Sequence, residues 1–254
     1  MPPRQLIAGN WKMHRTPSET GRILRDLVSR VGRASPRGEV AVAPPFTSLP
    51  AAAEILRGSG IALAAQNVHW EEEGPFTGEV SAKMLAEIAC RYVIVGHSER
   101  REHFSESDRR INQKVRAVLF REMTPILCVG EKSDERASGR AGQVVDAQMK
   151  RGLANIRLID DQDLVIAYEP VWAIGTGVTA TPADAREMHI RIRAELAAAF
   201  GAARAEQIRV LYGGSVNRSN AEALLSTPGV DGALVGGASL DPESFTAICA
   251  ASVR

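Results

Sequence analysis

Apolar residues in this chain gather in eight short runs, separated by stretches with helical spacing. The runs predict strands at Gln5–Asn10, Glu39–Ala43, Ile61–Gln66, Tyr92–Val95, Thr124–Val129, Leu164–Tyr168, Ile208–Tyr212 and Gly232–Val235. Most are continuous, with little in–out alternation, which is the pattern of parallel strands covered by helices. The clearest helix is Pro182–Phe200. Thr181 can cap it, Pro182 fits its first turn, Gly201 follows its end, and Met188, Ile192, Leu196 and Ala199 form one apolar face. A second helix runs from about Asp108 to Phe120 with Ile111, Val115, Val118 and Leu119 inward, and a third spans roughly Gln143–Leu153. Eight strand–helix pairs with short loops and no linker predict a single α/β domain over residues 1–254, closed as a (βα)₈ barrel. A doubly wound open sheet would carry a glycine-rich phosphate turn after its first strand. Ala8-Gly9-Asn10-Trp11-Lys12 matches no such motif, which argues against nucleotide binding.

Composition narrows the function classes. The 254 residues carry a formal net charge of +1, so no global field favours nucleic acid or an anionic membrane, and anion recognition must be local. No run reaches the length of a transmembrane helix, and Met1–Leu6 lacks the apolar core of a signal peptide. Cys90, Cys128 and Cys249 are odd in number and far apart, which fits a reducing cytoplasm rather than a disulfide framework or metal knuckle. The five histidines show no metal-ligand spacing.

Chemistry collects where the apolar runs stop, which in an α/β barrel is where an active site forms. The first run ends in Asn10 and Lys12, the fourth in Gly96-His97-Ser98-Glu99-Arg100, the sixth in Glu169-Pro170, the seventh in Gly213-Gly214-Ser215 and the eighth in Gly236-Gly237. If the pleat continues, Asn10 and Lys12 share a face, as do Val95 and His97, and Ala167 and Glu169. Each residue alone has a plain reading. Glu169 could be an exposed loop carboxylate, Lys12 could lay its stem on Trp11, His97 could be a hydrogen-bonded core histidine, and glycine pairs mark turns. Their joint placement at strand ends favours one site. Pro170–Ala180 mixes apolar residues with Gly175 and Gly177, a composition suited to a lid as well as to an ordinary loop.

Five segments then make the sequence resemble the triosephosphate isomerase family over nearly its whole length. They are Gly9-Asn10-Trp11-Lys12-Met13, Gly96-His97-Ser98-Glu99-Arg100-Arg101, Ile126 to Glu131, Tyr168 to Gly177, and Tyr212-Gly213-Gly214-Ser215-Val216. The resemblance implies a TIM barrel that interconverts glyceraldehyde 3-phosphate and dihydroxyacetone phosphate in glycolysis and gluconeogenesis, without a metal or organic cofactor. By the same resemblance Glu169 is the base, His97 polarises the carbonyl and shuttles protons, Lys12 supplies positive charge, and Asn10 donates a hydrogen bond. Main-chain groups near Gly175, Ser215, Gly236 and Gly237 would hold the phosphate, and Ala238-Ser239-Leu240 would open a short helix toward it. Glu99 would lie near Lys12, Cys128 behind Glu169, and Tyr212 would bond the closed lid near Ala180. Gly74–Glu79 looks like the family's projecting loop, which implies a homodimer; on the residues alone it reads as an exposed turn. Val178 stands where the family often has a basic residue, and His14 where Asn is frequent. Two other readings stay open: another phosphate-binding barrel, such as an aldolase or synthase, and a catalytically silent homologue acting as a binding protein. A Schiff-base aldolase would want a lysine where strand six carries Glu169, and a silent homologue would be expected to lack Lys12, His97 or Glu169.

Overall fold

The computed structural model describes residues 3–159, 162–174 and 180–253. Its strands are β1 Leu6–Asn10, β2 Glu39–Ala43, β3 Ile61–Ala65, β4 Tyr92–Val95, β5 Thr124–Val129, β6 Val165–Tyr168, β7 Arg209–Tyr212 and β8 Gly232–Val235. All pair in parallel and in sequence order, and β8 closes on β1 to complete the barrel. The sequence-predicted strands are recovered. Gln5, Gln66, Leu164 and Ile208 fall one residue outside them. At two of these ends the side chain has other work: the Gln5 amide donates to the Leu225 and Val230 carbonyls, and the Gln66 amide to those of Lys12 and Ala43, both at 2.8 Å.

The continuous apolar runs have a direct cause, because each strand is buried on both faces. Leu6, Ala8, Ala41, Ala43, Ala64, Ile94, Ile126, Val165, Ala167, Leu211 and Leu234 fill the barrel interior. Alternate residues such as Ile7, Val40, Val42, Val93, Val95, Leu127, Ile166 and Val210 pack outward under the helices. The interior is plugged at its lower end. Arg209 reaches the Glu39 carboxylate at 2.9 Å and the Tyr92 hydroxyl at 3.1 Å, and also pairs with Asp163.

Helix Pro182–Phe200 begins as predicted, with Thr181 and Asp184 forming a capping box and Pro182 at the first helical position. Its buried face is Ala185, Met188, His189, Ile192 and Leu196, whereas Ala199 is exposed near the helix end. The predicted stripe is therefore shifted one turn toward the N-terminus. Helix Asp108–Phe120 buries the four predicted apolar residues, and the third helix is Ala141–Gly152. Among the described residues no helix is long and apolar enough to cross a membrane.

Candidate active site

At the C-terminal ends of the strands a cavity of about 410 Å³ opens. Asn10, Lys12, His97, Glu169, Ser215, Gly236 and Gly237 all line it, so seven of the eight sequence-predicted site residues meet in one place. The eighth, Gly175, lies outside the described residues, as does Val178. Ile174, Gly213, Gly214, Val216, Asn217, Leu234 and Ala238 are the other described residues of its wall.

Glu169 follows β6 on the same side as Ala167, which faces the barrel interior as strand parity requires. Its backbone N–H continues the ladder to the Val129 carbonyl at 2.8 Å. Gly213 makes room for it, since a Cβ there would lie 3.0 Å from Glu169 Cγ and from the Tyr168 carbonyl oxygen. The carboxylate is buried and holds three donors: Ser98 N–H at 2.9 Å, the Ser98 hydroxyl at 3.0 Å and His97 Nε2 at 3.0 Å. Burial alone would raise its pKa, but His97 and the two Ser98 donors outweigh burial and hold it below the usual carboxylate value.

His97 reaches the cavity by a different route from the one parity suggests. Val95 packs outward under the helices, so an unbroken pleat would send His97 outward too. Gly96 breaks the pleat with φ +72°, a conformation that favours glycine, and a Cβ there would also lie 2.8 Å from Ile111 Cδ1. The chain turns, helix Ser98–His103 begins, and the imidazole enters the cavity as the residue that caps this helix. Its Nδ1 accepts the Glu99 N–H at 3.3 Å. The ring proton therefore sits on Nε2, which donates to Glu169. Burial works against an imidazolium and the Glu169 carboxylate works for it; in this pairing the carboxylate prevails and raises the pKa. A second proton would have to displace the Glu99 N–H from Nδ1.

Asn10 and Lys12 both face the cavity as predicted, while Trp11 between them is fully buried in the outer core. Lys12 directs its ammonium to the cavity and Glu99. It adopts φ 52°, unusual for a residue with a side chain, and its N–H donates to Asn10 Oδ1 at 3.1 Å. Its ammonium meets Glu99 Oε1 at 2.6 Å, as the resemblance implied. A Cβ on Gly236 would lie 3.6 Å from Lys12 Cε, so the cation stands beside the glycine end of the cavity. There a single 3₁₀ turn spans Gly237–Leu240, starting one residue before the predicted short helix.

Neighbouring residues complete the setting. Cys128 is buried in the barrel interior, where burial and the Glu169 carboxylate push its thiol pKa well up. Glu131 accepts from the Tyr168 hydroxyl at 3.0 Å and from Trp172 Nε1 at 2.7 Å, anchoring the segment that follows Glu169. The Tyr212 hydroxyl is buried and has no partner among the described residues. Sequence reasoning passed over Ser98 and Gln66. Ser98 sits inside a quoted motif, yet no spacing rule says that it grips Glu169, 71 residues away. Gln66 read as the end of a strand, whereas its amide holds the Lys12 carbonyl.

A family model described as triosephosphate isomerase matches residues 5–252. A relative from Chloroflexus aurantiacus, named triosephosphate isomerase, is 51% identical over 243 residues, covering 96% of this chain and 97% of its own. One of the same name from Carboxydothermus hydrogenoformans is 51% identical over 250 residues, 98% of this chain and 99% of its own. The crystal structure of triosephosphate isomerase from Bartonella henselae superposes with a TM-score of 0.88 at 41% identity, covering 98% of each chain. With a closed eight-stranded parallel barrel and these matches along nearly its full length, the chain belongs to the triosephosphate isomerase family of enzymes.

Proposed function

We propose that this protein interconverts D-glyceraldehyde 3-phosphate and dihydroxyacetone phosphate by proton transfer through an enediolate. The observation that carries the reading is the facing pair of Glu169 and His97, 3.0 Å apart on one cavity wall, with Lys12 beside the glycine end. Glu169 takes a proton from the carbon next to the carbonyl and returns it to the neighbouring carbon. His97 donates from Nε2 to the carbonyl oxygen and passes protons between the two oxygens, while Lys12 and Asn10 stabilise the negative charge that develops. A positioned base supplies about 10²–10⁴-fold, roughly 3–5 kcal/mol, so the preorganised donors must lower the rest of the barrier. A carboxylate that accepts three hydrogen bonds is a weak base, so the reactive arrangement must release Glu169 from Ser98. Backbone near Ser215, Gly236 and Gly237 holds the phosphate.

A homodimer through residues 74–79 is part of the same reading. Its support is exposed apolar surface: Met13, which follows Lys12, is 93% exposed, and Phe76, packed on His69, is exposed in the 74–79 turn. The deciding experiment is an assay of the purified, folded protein with glyceraldehyde 3-phosphate. Isomerisation without added metal or cofactor is expected. Its absence would leave the silent, ligand-binding homologue as the better description.

A further inference from the structure

We propose that Arg101 is a positioning residue that locks the turn carrying His97 to the strand that seats Glu169. The inference rests on the catalytic reading of those two residues. It starts from the register of β4 and β5, which runs from Tyr92 opposite Thr124 to Val95 opposite Leu127. Thr124 N–H donates to the Arg91 carbonyl at 2.9 Å. In a parallel ladder this pattern repeats every two residues. The next rung beyond the strand ends would therefore run from His97 N–H to the Cys128 carbonyl. The positive φ of Gly96 swings the chain away before that rung forms.

Arg101 fills the gap. Its Nη2 donates to the Cys128 carbonyl at 3.1 Å and its Nε to the Gly96 carbonyl at 2.8 Å. Its Nη1 donates to Asp108 at 2.6 Å, and its own backbone N–H donates to the His97 carbonyl at 3.1 Å. One guanidinium thus replaces the missing rung and grips the peptide that precedes His97. On the far side Cys128 pairs with Ala167, two residues before Glu169. The contact between imidazole and carboxylate at 3.0 Å therefore spans a joint that the two Ser98 donors also cross and that Arg101 ties at the strand ends beneath them. Arg101 does not line the cavity. Lysine keeps the charge but offers a single nitrogen, which cannot reach three separated acceptors at once.

The test is steady-state isomerisation by Arg101→Met and Arg101→Lys, with inhibition by inorganic phosphate measured alongside. A misplacement of about 1 Å costs about 10²-fold in rate. Arg101→Met is therefore expected to lose ten- to a hundredfold in kcat, roughly that range. KM and the phosphate inhibition constant should stay within about twofold, because the hydrogen-bond partners of Arg101 are Gly96, His97, Cys128 and Asp108, not the β7 and β8 ends that carry the glycines. Arg101→Lys should fall between wild type and Met with the same split. Near-wild-type kcat in both variants would overturn the proposal. So would proportional losses of kcat and phosphate affinity, or a failure of both variants to fold, which would assign Arg101 to folding alone. An inactive wild type would instead remove the reading of the site itself.

Discussion

His189 gives this barrel a calculable acid sensitivity. It lies in helix Pro182–Phe200, is 1% exposed, and places Nδ1 3.0 Å from the Gly229 carbonyl. A carbonyl only accepts, so Nδ1 carries the proton and Nε2 is bare, with no partner among the described residues. The Tyr168 ring stands edge-on at 6.1 Å. A second proton would create a buried charge whose new N–H has no acceptor. Burial, the largest influence, pushes the imidazole pKa down from 6.5 to about 4, against the opposing pull of the Gly229 carbonyl and Asp231. Between those values the unfolded chain binds the proton and the folded chain does not. The stability held by a neutral His189 is therefore complete above about pH 6.5 and is lost as pH falls toward 4. At 1.36 kcal/mol per pH unit, the interval corresponds to about 3 kcal/mol. His189→Gln keeps a donor for Gly229 in a similar volume but cannot titrate. Urea unfolding of both proteins, at one protein concentration and at pH values from about 7.5 to 4, should show the difference moving toward the variant by about 3 kcal/mol. A difference that stays constant to about 0.5 kcal/mol across that range would refute the argument.

Four further outcomes follow from the site and its surroundings. Glu169→Asp withdraws the carboxylate by one methylene and should reduce kcat by about 10²-fold or more; a near-wild-type rate would rule Glu169 out as the base. Lys12→Met should weaken both substrate binding and turnover, whereas a change in thermal stability alone would mean that the cation serves only its pairing with Glu99. Ser98→Ala removes a donor that favours the ionised Glu169, so the acid limb of the kcat/KM profile should move to higher pH, and an unmoved limb would sever Ser98 from the base. Thr77→Arg should convert a dimer to monomers by light scattering with loss of activity; an unchanged dimer would count against the 74–79 contact.

Much of this was legible in the sequence because a barrel strand is apolar on both faces, and such runs stand out in a chain with balanced charge. The strand ends were readable for the same reason: Glu169 and Asn10 are polar residues where an apolar run stops. Parity then placed Glu169 correctly, because β6 keeps its pleat through Ala167 to that residue. It failed at His97, because one dihedral at Gly96 reverses the outcome, and glycine in a sequence permits that dihedral without requiring it. Ala199 was misplaced because periodicity continues to the end of a helix while the surface it packs on does not. Ser98, Gln66 and Arg101 act on residues 71, 54 and 27 positions away, through contacts that only the closed barrel creates.

The plug of Arg209, Tyr92, Glu39 and Asp163 under an apolar interior closes the barrel from below, so among the described residues the cavity opens at the C-terminal strand ends. Under the proposed function, reactant and product share that mouth, which Lys12, Gly236 and Gly237 line. Each therefore excludes the other, and a bare anion lodged at the threshold excludes both.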